Sequence, residues 1–171
     1  MNPAPPESHN GRIVVWLAQV SASQESLFSL NPYLDARDVE RAVRFRFDED
    51  RARYILGRAL ARECLGRCLN RLPASLDFIY TSRGRPVLAG NDSIHFSISH
   101  THDLVAVAVA RGAQVGIDLE YLRQEVDTED LALRVFSEDD QQRFNSLPAG
   151  EKRAAFFRAW TRKEAYLKAR G

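Results

Sequence analysis

Apolar and polar positions fall into clear periods along the chain. Ile13 to Val20 is continuously rich in Val, Ile and Leu and predicts a first strand. Residues 24–46 mix short apolar and polar pieces around Asn31-Pro32 and predict turns and short helices. From Asp48 to about Leu69, Tyr54, Ile55, Leu56, Ala59, Leu60, Cys64, Leu65 and Cys68 recur at three- and four-residue spacing, which predicts a long helix. Leu76 to Tyr80 reads as a short strand. Ser82-Arg83-Gly84-Arg85-Pro86 is a turn, from which Pro86-Val87-Leu88 extends. His95 to His100 alternates, with Phe96 and Ile98 on one face and Ser97 and Ser99 on the other. Leu104 to Ala110 is an apolar strand, and Val115 to Glu120 is expected to return as another. Its Val115, Ile117 and Leu119 share one face, and its Gly116, Asp118 and Glu120 the other.

Beyond residue 125 the period becomes helical. Asp127 or Thr128 can cap a helix running to about Val135, and Ser137 a second one, with Asp140 at capping-box distance. Gly150 to Arg170 predicts a long final helix. Strand, long helix, strands and then helices again make a coarse internal echo. The expectation is an α+β fold of two lobes: residues 12–110 and residues 111–171. The Pro-rich residues 1–11 are expected to be a disordered tail.

Composition adds limits. A chain of 171 residues, 44% of them hydrophobic, suits one domain or two small packed lobes. The net charge of +1 gives no global field of the kind that draws nucleic acid. Charge is segregated locally instead. Residues 37–71 carry ten arginines against six acids, residues 118–151 ten acids against three arginines, and residues 152–170 seven bases against Glu164 alone. Most of these charges read individually as solvated helix faces. Together they suit a metal among acids beside an anion among bases. Cys64 and Cys68 have no nearby His to complete a zinc site and are expected to be ordinary buried thiols. Neither a signal peptide nor a membrane-spanning segment is predicted, so the expected location is the cytoplasm.

Two constellations carry candidate chemistry. On a strand, Asp118 and Glu120 project together, and magnesium takes one or two carboxylates with water and phosphate. On a helix, Glu164 and Lys168 share a face with Trp160 one turn earlier. Each pair taken alone reads more readily as a wet surface. Ser99 and His100 end a strand before a turn and can meet an anionic oxygen. A Ser–His–Asp triad through Asp103 or Asp118 is disfavoured, because neighbouring strand residues point to opposite faces. Arg53 and Arg85 are of the residue type that pairs best with phosphate. A Gly-rich phosphate loop is absent.

Taken jointly, these pieces resemble a known family. Gly116-Ile117-Asp118-Leu119-Glu120, then Phe136-Ser137, then Trp160-Thr161-Arg162-Lys163-Glu164-Ala165-Tyr166-Leu167-Lys168 resemble the signature of the 4′-phosphopantetheinyl transferases. Phe96 to His100, Gly84-Arg85-Pro86 and Arg53 to Arg58 resemble further segments of that family, so the likeness covers roughly residues 35–171. It is nearest the two-lobed, surfactin-synthetase-activating type. The resemblance implies two pseudo-symmetric α/β lobes, each with a small sheet on a long helix. It also implies transfer of the phosphopantetheine arm of coenzyme A to a serine of an acyl or peptidyl carrier protein, releasing adenosine 3′,5′-bisphosphate.

By the same resemblance Asp118, Glu120 and Glu164 would hold Mg²⁺ (or Mn²⁺), and Lys168 would touch the phosphates. Glu164 or a metal-bound water would take the serine proton. Arg41, Arg53, Arg85, Ser99 and His100 would bind the nucleotide end of coenzyme A. In the family, strands follow the Lys168 position, so the second lobe is expected to be incomplete at Gly171. Partners would be coenzyme A and an acidic carrier protein, not nucleic acid or membrane. The alternatives are a non-catalytic relative that binds coenzyme A or a carrier protein, and another Mg-dependent phosphodiester enzyme.

Overall fold

The computed structural model describes residues 12–20, 27–91 and 93–171. The expected tail at 1–11 and residues 21–26 lie outside the described residues. The expected mixed α/β architecture is observed. Strands β1 (Ile13–Gln19), β4 (Ile94–Thr101) and β5 (Leu104–Arg111) form an antiparallel sheet of order β1-β5-β4. Strands β2 (Phe78–Tyr80) and β3 (Pro86–Leu88) pair separately. Helix α1 (Ala36–Ala42) precedes the long helix α2 (Asp48–Leu69). Helices α3 (Thr128–Val135), α4 (Glu138–Asn145) and α5 (Ala149–Arg170) make up most of the rest. Among the described residues from 112 onward there is no strand.

Local chemistry sets these boundaries. Three acids, Asp48, Glu49 and Asp50, occupy the first turn of α2, where the helix dipole favours them. Asn70 ends the helix in the left-handed region at φ 52°. The carboxylate of Asp127 accepts from the N–H groups of Glu129 and Asp130, and Ser137 Oγ accepts from Asp140 N, so both expected caps are in place.

The sheet has two different faces. In register, Val14, Trp16 and Ala18 stand beside Val109, Val107 and Val105, and these beside Phe96, Ile98 and His100. This face meets α2, and the core gathers Leu65, Leu76, Phe78, Ile94, Phe96, Val107 and Val109. Gly57 lets the helix come close: a Cβ there would stand 3.3 Å from Ile98. On the other face Ala108 and Ala110 are buried beneath Val115 and Ile117. β5 is therefore covered on both sides, which accounts for its uninterrupted apolar sequence.

Residues 115–121 depart from expectation. They run extended but form no strand. Their alternate N–H groups are taken by hydroxyls of β4 rather than by backbone carbonyls. Ile117 N donates to Ser97 Oγ (3.2 Å), Leu119 N to Ser99 Oγ (3.1 Å) and Tyr121 N to Thr101 Oγ1 (3.2 Å). A hydroxyl at every second residue of β4 thus replaces a backbone ladder.

Two arginines are not solvated. Arg62 and Arg58 are buried in α2 around Asp38, which is 1% exposed. Arg58 Nε and Arg62 Nε each donate to one Asp38 oxygen at 2.7 Å, and both guanidinium groups lie over the Phe78 ring. Burial pushes the Asp38 carboxyl up, but the two guanidinium groups outweigh it and hold it below the usual carboxylate range. Cys64 is buried and Cys68 half-buried, as expected, and burial pushes the Cys64 thiol up to about 12.

Candidate active site

The site forms where the end of β4, the start of α2, the extended segment and α5 converge. Adjacent residues of β4 serve its two sides. Ser99 faces the extended segment and His100 faces α2, as strand alternation requires. Because β4 ends here, both sides open into one cavity of about 590 Å³, lined by Asp50, Arg53, Ser99, His100, Asp118, Glu120 and Lys168 among others. The sequence-predicted residues Arg53, Ser99, His100, Asp118, Glu120 and Lys168 are thereby brought together.

The approach of α5 depends on Gly116. A Cβ there would fall 1.9 Å from the carbonyl oxygen of Ala165, so only glycine admits this contact. One turn further along α5, Lys168 Nζ reaches Asp118 Oδ1 (2.5 Å) and Ser99 Oγ (3.1 Å). Ser99 Oγ donates in turn to Asp118 Oδ1 (3.1 Å) while accepting from Leu119 N. The Asp118 side chain is 6% exposed, and its second oxygen, Oδ2, has no partner among the described residues. A buried carboxylate oxygen left bare is costly unless something cationic meets it.

Glu120 accepts a hydrogen bond from the indole Nε1 of Trp160 at 3.0 Å. Glu164 stands on α5 one helical turn from both Trp160 and Lys168 and makes no hydrogen bond or ion pair with a described residue. Among the described residues, no three His, Cys, Asp or Glu side chains converge into a ready-made metal cluster. Magnesium does not need one, since it is held by one or two carboxylates together with water and phosphate. The hard oxygen donors and the bare Asp118 Oδ2 fit such an ion.

Across the cavity Arg53 is anchored, Nη1 to the His102 carbonyl (2.8 Å) and Nη2 to Asp50 (2.6 Å). His100 is exposed toward the cavity, yet its pKa lies below the usual imidazole value. Partial loss of water around the ring is the main cause, and the Arg53 and Lys168 charges add to it.

Glu164 does not line this cavity, and two further expected residues stand elsewhere. The Arg85 guanidinium spends its donors on the carbonyls of Ala169 (3.2 Å), Phe96 (3.2 Å) and Val115 (3.0 Å), tying β4, the extended segment and α5 together. It lines an adjoining apolar cavity with Leu167 and Lys168. Arg41 is outside both cavities. It borders a separate hollow with Arg37 and Arg44 and lies over the Tyr54 and Tyr80 rings. Sequence reasoning missed Asp50 and the stacked His102–Tyr121 pair, whose ring centroids lie 4.7 Å apart at the cavity edge.

An oxygen-rich, lysine-bearing pocket on a mixed α/β scaffold, faced by Arg and His, has the chemistry that suits a phosphate-bearing ligand. Comparison narrows this reading. Residues 16–112 match the model of the 4′-phosphopantetheinyl transferase N-terminal family, and residues 114–171 match that of the 4′-phosphopantetheinyl transferase superfamily. The chain belongs to this family. It is 40% identical over 160 residues to 4′-phosphopantetheinyl transferase HetI from Nostoc, covering 92% of this chain and 68% of the relative. It is 35% identical to 4′-phosphopantetheinyl transferase psf-1 from Bacillus pumilus, covering 87% and 63% respectively. A solved holo-(acyl-carrier-protein) synthase from Bacillus anthracis in complex with coenzyme A is 17% identical, with a TM-score of 0.47 over 57% of this chain and 91% of that one. The chain spans about two thirds of the length of HetI and somewhat less of psf-1.

Proposed function

We propose that the protein transfers the 4′-phosphopantetheine arm of coenzyme A to a serine of an acyl or peptidyl carrier protein in the cytoplasm. The observation that carries this reading is the Lys168–Asp118–Ser99 cluster, with its bare buried oxygen, facing Arg53 and His100 across one cavity. Family membership supports it. In this reading the serine oxygen forms a bond to the phosphorus that carries the pantetheine. The bond from that phosphorus to the bridging oxygen breaks, its electron pair leaves with that oxygen, and adenosine 3′,5′-bisphosphate departs.

Asp118 and Glu120 would hold Mg²⁺ or Mn²⁺, with Glu164 as the third carboxylate of the set. When bound, the ion supplies neutralisation of the pyrophosphate charge. Lys168 is half-exposed and can turn from Asp118 to a phosphate oxygen. Glu164, which makes no hydrogen bond or ion pair with a described residue, would take the serine proton. Arg53 and His100 meet the anionic nucleotide end. Arg85 and Arg41 have a weaker place in this reading, because the first is committed to three carbonyls and the second lies outside the cavity. We further read residues 12–110 and 111–171 as the two lobes of the surfactin-synthetase-activating type.

Calorimetry of coenzyme A binding with Mg²⁺ tests the phosphate role directly. Lys168→Ala is expected to weaken binding roughly 10–100-fold, the scale of one charge-assisted hydrogen bond of about 1.5–3 kcal/mol. Equal affinities would remove Lys168 from the site.

A further inference from the structure

We infer that Trp160 is a positioning residue for the metal site, acting through Glu120. This rests on the reading of Asp118 and Glu120 as metal ligands. Glu120 sits on an extended segment held by hydroxyls rather than by a sheet ladder, so its own backbone fixes it less firmly than a strand would. Trp160 supplies the missing constraint. Its indole N–H, a donor with no acceptor capacity, points at Glu120 Oε1 at 3.0 Å. That contact occupies one carboxylate oxygen and leaves the other for a cation.

The indole is itself held. It stacks on Phe156 (centroids 6.3 Å apart, planes 10° apart), and Phe156 is 2% exposed within the aromatic cluster of Phe136, Phe144 and Phe157. The packed core of α3, α4 and α5 therefore aims one N–H at one ligand oxygen. Glu120 and Trp160 also border a smaller cavity of about 230 Å³, with Leu131, Val135 and Phe157. The carboxylate stands between that apolar hollow and the phosphate cavity, and the indole keeps it facing the latter. Outer partners of this kind orient metal ligands, and their loss costs about 10–100-fold in metal affinity.

The test measures Mn²⁺ binding to the 171-residue chain with coenzyme A present, by electron paramagnetic resonance of free Mn²⁺. Trp160→Phe keeps the stacking ring and removes the donor. It is expected to weaken Mn²⁺ about 10–100-fold. Glu120→Gln should weaken it at least as much, and the double variant should bind no more weakly than Glu120→Gln alone. A Trp160→Phe chain that binds Mn²⁺ like the parent, or effects that add in the double variant, would overturn the inference. The second measurement keeps Trp160 intact. In Trp16→Phe it is the sole indole of the chain, and its fluorescence should shift as Mg²⁺ is added with coenzyme A. Emission that ignores Mg²⁺ would count against the contact. Absence of any Mn²⁺ binding by the parent chain would sink the metal-site reading itself, a result distinct from parent-like binding by Trp160→Phe.

Discussion

At the scale of single residues, the site is a set of polar atoms whose partners can be counted. Ser99 Oγ donates once and accepts twice, Asp118 keeps one oxygen engaged and one bare, and Glu120 is satisfied on one side by Trp160. His100 shows how the surroundings tune a group without touching it. Its lowered pKa means that it is neutral near pH 7, and that the unfolded chain binds its proton more readily than the folded one. The folded protein is therefore penalised below the lowered value, and the penalty lifts as pH rises toward the ordinary imidazole range. In NMR the His100 ring should titrate below about 6.5 in the free protein. Saturation with coenzyme A should move it upward, because a phosphate favours the imidazolium. An unchanged midpoint would place the nucleotide away from His100.

At the scale of elements, two contacts decide the arrangement. Gly116 admits α5, and Gly116→Ala would drive a methyl group into the Ala165 carbonyl. The expected result is a loss of about 1–3 kcal/mol in denaturant unfolding, the usual cost of overpacking, together with weaker coenzyme A binding as Lys168 is displaced. Parent-like stability would mean that the helix lies farther off. At α2 the buried Asp38 carboxylate stands between two buried guanidinium groups, Arg58 and Arg62, and Arg62 also pairs with the part-buried Asp35. Asp38→Asn should cost about 3–5 kcal/mol, since it leaves the buried Arg58 without a carboxylate while Arg62 keeps only Asp35. Asp38 is held below its ordinary pKa, so its contribution is complete above the usual carboxylate range and disappears as pH falls through the lowered value. The acid arm of the stability curve should flatten in the variant.

This is also where sequence and structure part. The α2 period and the caps at Asp127 and Ser137 were legible, because they are local. The hydroxyl ladder that replaces a strand at 115–121 was not, since Ser97, Ser99 and Thr101 look like any polar face until their partners arrive from elsewhere in the chain. Nor could spacing alone distinguish the buried Arg62 from the exposed Arg41.

At the scale of the whole molecule, residues before and after 112 are joined by specific polar ties as well as by apolar packing. Arg85 binds β4, the extended segment and the end of α5 through three carbonyls, and Lys168 links α5 to Asp118. The candidate site draws on both halves. Arg53, Ser99 and His100 come from the first, and Asp118, Glu120 and Lys168 from the second. Among the described residues no helix is long and apolar enough to cross a membrane. The central claim is that this shared cavity transfers phosphopantetheine. The direct test is mass spectrometry of an apo acyl carrier protein incubated with the chain, coenzyme A and Mg²⁺. The account predicts a mass gain of one phosphopantetheine that disappears without metal and falls at least about 100-fold in rate in Asp118→Asn, at or beyond the upper end of what outer-shell losses cost. A carrier protein left unmodified, or modified equally well by Asp118→Asn, would contradict it.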